Sequence, residues 1–101
     1  MTLRRYETVP GAEWVALGEE GFAAFSPESG ETHLLNAECV EILERLRERG
    51  AQTTAEVVES LMADYDADPQ QLLSDIEANW RVLLDSGLVR PGDNASSATG
   101  P

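Results

Sequence analysis

Before Ser26 the apolar residues of this chain fall at strand-like spacing, and after Asn36 they fall at helical spacing. No other feature limits the fold as strongly, because it divides the chain into a strand half and a helix half. The segment between opens with a turn signal, Ser26-Pro27-Glu28-Ser29-Gly30, in which the glycine suits a left-handed backbone. It closes on Asn36, a good helix N-cap. The short β-prone run from Thr32 to Leu35 must therefore belong to both halves.

Upstream, Glu13 to Leu17 is rich in β-favouring residues, and Gly18-Glu19-Glu20-Gly21 makes a turn. Phe22 to Phe25 follows, and its partner across the Pro27/Gly30 turn is Thr32 to Leu35. The three strands form an antiparallel meander, too small to bury a face without helices against it. Residues 1–12, with few apolar positions, read as a loosely ordered lead-in holding a short extended piece near Arg5 to Thr8. Residues 91–101, rich in Asp, Asn, Ala, Ser, Thr and Gly, read as a disordered tail. The folded domain is expected over residues 13–90.

Downstream, Cys39, Val40, Leu43 and Leu46 give the first helix its inner stripe, with Ile42 on its flank and Gly50 as its stop. Thr53 and Glu56 form a capping-box pattern ahead of a second helix running to about Tyr65, with Val57, Val58, Leu61, Met62 and Tyr65 inward. Asp68, Pro69 and Gln71 then signal a third start. That helix is the best patterned, with Leu72, Leu73, Ile76, Trp80, Leu83 and Leu84 on one side and Gly87 at its end. The predicted fold is α+β and winged-helix-like: a three-stranded antiparallel sheet followed by a three-helix bundle.

The chemistry the residues exclude is extensive. Nineteen acidic residues face seven basic ones, all arginine, for a net charge of −12. The third helix, which reads DNA in many winged-helix domains, carries Asp75, Glu77 and Asp85 against the single Arg81. Such a surface cannot neutralise phosphates, so no nucleic-acid partner is expected. No apolar run reaches the ~20 residues of a membrane span, and no signal-peptide pattern opens the chain, so a cytoplasmic location without membrane association is expected. Cys39 is the only cysteine and His33 the only histidine. Each reads as a packed or surface residue, and together they are too few for a zinc site. There is no phosphate loop or nucleophile elbow, and the carboxylates fit solvated helix faces. Neither metal, cofactor nor catalytic residue is expected, and the chain reads as a binding protein rather than an enzyme.

Here a family resemblance becomes specific. A strand, then Phe25-Ser26-Pro27-Glu28-Ser29-Gly30-Glu31-Thr32-His33-Leu34-Leu35-Asn36, then a helix with Cys39-Val40-Glu41-Ile42-Leu43, resembles the PqqD family of peptide chaperones. More closely, the chain is similar to the HPr-related-kinase-associated branch of that family, in which a segment Ser-Gly, then Glu or Asp, then Thr-His-Leu-Leu-Asn recurs, here residues 29–36. Asp68-Pro69 with Leu72, and Ser86-Gly87-Leu88-Val89, also fit. The resemblance implies a recognition element for precursors of ribosomally made, modified peptides. Such a domain binds the leader segment as an added strand and presents the rest to a separate modifying enzyme. Carried over, the strand edge is Glu31, Thr32, His33, Leu34 and Leu35, and the helix wall is drawn from Leu73, Ile76, Glu77, Trp80 and Leu84. The alternative is an acidic winged-helix adaptor or regulator that docks a folded protein. An open strand edge could also pair with a second copy, which leaves a homodimer open.

Overall fold

The computed structural model describes residues 4–92, and the expected disordered tail lies outside them except for Pro91 and Gly92. The meander forms as its spacing predicts. Strands β2 (Glu13–Ala16), β3 (Phe22–Ser26) and β4 (Glu31–Leu35) pair in chain order, antiparallel, with Ala24 opposite both Trp14 and His33. A 3-10 turn, Gly18–Glu20, joins the first two. Three helices follow, α1 (Ala37–Arg49), α2 (Thr54–Asp64) and α3 (Pro69–Asp85).

The helix ends lie where local chemistry puts them. Asn36 Oδ1 accepts from the Cys39 N–H at 2.8 Å, and the Gly50 N–H closes α1 on the Leu46 carbonyl. Both hydrogen bonds of the Thr53/Glu56 capping box form at the start of α2. Asp68 caps α3, with Pro69 at its first turn. Ile42, Leu43, Val57, Ile76, Leu83 and Leu88 are fully buried between the meander and the helices. Ile42, expected on the flank, is in the core. Tyr65, expected inward, is 49% exposed and donates its hydroxyl to Glu41, because α2 stops one residue before it.

The lead-in is extended at Arg5 to Thr8 as expected, but it is built into a sheet rather than loosely ordered. Residues Arg5–Thr8 form β1, the middle strand of a second sheet, between β5 (Gln52–Thr53) and β6 (Val89–Pro91). Its side chains alternate as a strand requires. Tyr6 stacks on Trp80 with ring centroids 4.3 Å apart, whereas Arg5 and Glu7 find Glu56 and Arg90, each at 2.7 Å. A polar sequence can hold a central strand here because its polar side chains meet partners of opposite charge.

Two predictions arise from these local structures. The Thr53 N–H and then the Arg5 charge hold the Glu56 carboxyl below its ordinary value of 4.5. A carboxyl depressed in the folded state adds stability above its unfolded value and loses it as pH falls through the folded one. Urea unfolding of Glu56→Gln and wild type across pH should show a gap that is constant above pH 4.5 and narrows below it. A gap independent of pH would contradict this account. The second concerns Gly87, at φ +77°, where an added Cβ would lie 2.6 Å from Ser26 Oγ. Gly30, at φ +72°, has open space. Gly30→Ala is expected to cost about 1 kcal/mol from backbone strain, and Gly87→Ala about 3 kcal/mol from strain plus overpacking. Equal losses in urea unfolding would mean that the Ser26 contact yields freely.

Candidate functional site: the free edge of β4 and the α3 flank beside it

Strand β4 is bonded on one side only. β3 occupies one edge, and no strand occupies the other among the described residues. An open edge presents unpaired N–H and C=O groups at the spacing an extended chain needs. Along β4, Glu31, His33 and Leu35 point to the core side of the sheet, Leu35 being 6% exposed. Thr32 and Leu34 point outward, with Leu34 74% exposed.

The elements on either side of β4, the end of β3 and the start of α1, are tied to α3 and the turn after it. At the turn end, the fully buried Ser26 accepts from the Ser29 N–H and donates its hydroxyl to the Gly87 carbonyl at 2.8 Å. At the other end, Asn79 Nδ2 donates to Glu38 Oε1 at 2.9 Å, and its Oδ1 meets Cys39 Sγ at 3.4 Å. The stretch from residue 79 to residue 87 covers about 12 Å at 1.5 Å per helical residue, close to the length of a five-residue strand. β4 therefore lies along the C-terminal half of α3, running opposite to it.

Helical spacing identifies the flank beside that edge. Asp75, Asn79, Val82 and Ser86 follow one another at three- or four-residue steps and so share a side. Val82 is 48% exposed there, while Asn79 and Asp75 are half-buried. His33 Nε2 is buried without a hydrogen-bond partner among the described residues.

The wall expected from the sequence is divided by the structure. Ile76 is wholly buried and belongs to the core. Leu73, Glu77, Trp80 and Leu84 lie on the opposite flank of α3 and line a hollow of about 690 Å³ with Arg4, Tyr6, Thr53, Thr54, Ala55, Arg81 and Asp85. No residue of β4 lines that hollow. Trp80 is 4% exposed, and its indole N–H donates to Thr54 Oγ1 at 2.8 Å. The sequence reading did not name Asn79 or Val82, which share the other flank of α3. Periodicity marks a helix's apolar stripe but not which border of it faces a given strand.

Cys39, near the start of α1, is not primed for covalent chemistry. Burial, reinforced by the Glu38 charge, pushes the Cys39 thiol above its ordinary value of 9.0, which keeps it protonated at neutral pH. Among the described residues no three His, Cys, Asp or Glu side chains are grouped to hold a metal ion, and no helix is long and apolar enough to cross a membrane.

Solved structures share this fold. The solution structure of the PqqD truncation of Methylobacterium extorquens PqqCD, described as a functional, stand-alone recognition element for ribosomally synthesised and post-translationally modified peptides, superposes with a TM-score of 0.68 at 21% identity, covering 85% of this chain and 88% of that one. TbiB1 in complex with the TbiA(beta) leader peptide gives 0.65 at 18% identity, over 83% of this chain and 94% of that one. Lasso peptide synthetase B1 complexed with the leader peptide gives 0.63 at 23% identity, over 85% and 98%. No curated protein sequence matches the chain. The family model for coenzyme PQQ synthesis protein D (PqqD) matches residues 13–89, from the first residue of β2 to the first of β6, and the chain belongs to that family.

Proposed function

We propose that this chain is a non-catalytic recognition domain for the leader segment of a ribosomally made precursor peptide. It adds the leader as a strand to the free edge of β4 and presents the remainder to a separate modifying enzyme. The observation that carries this reading is the one-sided β4, with the turn before it and the helix after it both hydrogen-bonded to the α3 segment. Main-chain hydrogen bonds to the edge supply affinity without regard to sequence, and alternate side chains entering the groove supply selectivity. Two of the solved relatives hold leader peptides, which supports the same use of the fold. The raised Cys39 thiol fits a domain that binds and does no chemistry.

The segment from Ser29 to Asn36 supports placement in the HPr-related-kinase-associated branch of the family. A lone cysteine fits the reducing cytoplasm, where such precursors are translated.

The test is hydrogen exchange with and without peptide. Synthetic N-terminal segments of small open reading frames near the gene are titrated by calorimetry, and a saturating one is used for exchange. Slowed exchange is expected in Glu31–Leu35, with little change in β2, the other edge of the meander. Saturable binding that leaves the β4 amides unprotected would remove the edge from the site.

A further inference from the structure

The outward face of the meander is apolar. One cross-strand row reads Val15, Ala23, Leu34, and the next reads Glu13, Phe25, Thr32. Val15 is 60% exposed, Leu34 74%, Phe25 42% and the adjoining Leu17 41%. The solvated face of an antiparallel sheet ordinarily takes polar residues, and single exposed apolar side chains need no explanation. Several large ones gathered on two adjacent rows of one small sheet do. The surrounding charge is all of one sign, since residues 13–35 include five glutamates and neither lysine nor arginine. A second copy would bring the same glutamates to the contact, and each chain carries a net −12.

We infer that this face is the docking surface for the peptide-modifying enzyme, whose matching surface is apolar and rimmed by lysine or arginine. The inference rests on the peptide reading above, because the rows connect the two surfaces. A strand added beyond β4 extends each row by one peptide residue, next to Thr32 or Leu34. Alternate peptide side chains then face α3, and the rest join the outward face. An enzyme seated on Val15 and Phe25 thus touches the loaded peptide as well. It binds the peptide-loaded chain more tightly than the empty one, and by linkage it tightens the chain's hold on the peptide by the same factor.

The experiment uses the full chain, its precursor peptide and the purified enzyme that modifies that peptide. Val15→Glu and Phe25→Ser alter the outward face on β2 and β3, away from the β4 edge, and circular dichroism checks that both variants fold. Peptide affinity in each is expected to stay within about twofold of wild type, while enzyme affinity falls by about tenfold or more. For the wild type, saturating peptide should raise enzyme affinity, and raising salt from about 50 to about 500 mM should weaken it. Unchanged enzyme affinity in both variants would overturn the proposal. So would micromolar self-association of the wild type that Val15→Glu abolishes, which would make a second copy the occupant. If no peptide binds the wild type, the peptide reading fails by itself, and the enzyme titration without peptide still reports on this face.

Discussion

Trp80→Ala is expected to leave the protein largely unfolded under mild denaturing conditions. The side chain is 4% exposed and joins three elements: it lies on α3, stacks on Tyr6 of β1, and hydrogen-bonds to Thr54 at the start of α2. Truncating a buried tryptophan costs about 3–5 kcal/mol in transfer and cavity terms. A domain of this size has a total stability of roughly 5–10 kcal/mol, so the loss is a large share of it. Trp80→Phe keeps the stack on Tyr6 and deletes the indole N–H, and should cost about 1–2 kcal/mol. Urea unfolding followed by circular dichroism measures both. A loss under 1 kcal/mol for the alanine variant would show that β1 contributes little to holding α3.

Peptide affinity should fall by at least about tenfold in Val82→Asp and change by less than about twofold in Leu73→Asp. The two substitutions place the same charge at similarly exposed positions, 48% and 38%, on opposite flanks of α3. On the Val82 side the new carboxylate joins the α3 flank of Asn79, whose side chain holds Glu38. It removes apolar contact and adds a charge that a docked strand must desolvate. On the Leu73 side it enters the hollow shared with Arg4 and Arg81. Calorimetric titration of both variants with one leader peptide separates the cases. The reverse ranking would move the peptide to the hollow and restore Leu73, Glu77 and Leu84 as its wall.

How much of this was legible in the sequence depended on how local the cause was. Asn36, the Thr53/Glu56 box and Asp68-Pro69 each act within four residues, so the helix starts could be read directly. The register of the β3–β4 hairpin follows from the turn between Pro27 and Gly30 and could be read as well. The flank of α3 turned toward the start of α1 and the end of β3 is set by Asn79 with Glu38 and by Ser26 with Gly87, pairs separated by 41 and 61 positions. Helical periodicity is symmetric about the centre of an apolar stripe, so it offered two flanks and no means of choosing. The extended piece at Arg5 to Thr8 could be read, but its place as the middle strand of a second sheet could not. Arg5 and Glu7 look solvated in the sequence, and the charges that let them sit in a sheet, Glu56 and Arg90, are far along the chain. The one local signal for it was Tyr6 between polar neighbours, the alternation of a half-covered strand.

The pairing of β1 with β6 has a consequence for how such a unit can be combined with others. Tyr6 lies opposite Pro91, so backbone entering the fold and backbone leaving it run side by side, about 5 Å apart in neighbouring strands. A polypeptide that arrives at β1 and departs from β6 need not cross the groove beside β4 or the outward face of the meander. The unit can therefore be spliced into a surface loop of a larger protein, or joined to a further domain at either end, with the added chain leaving from the second sheet and not from the meander.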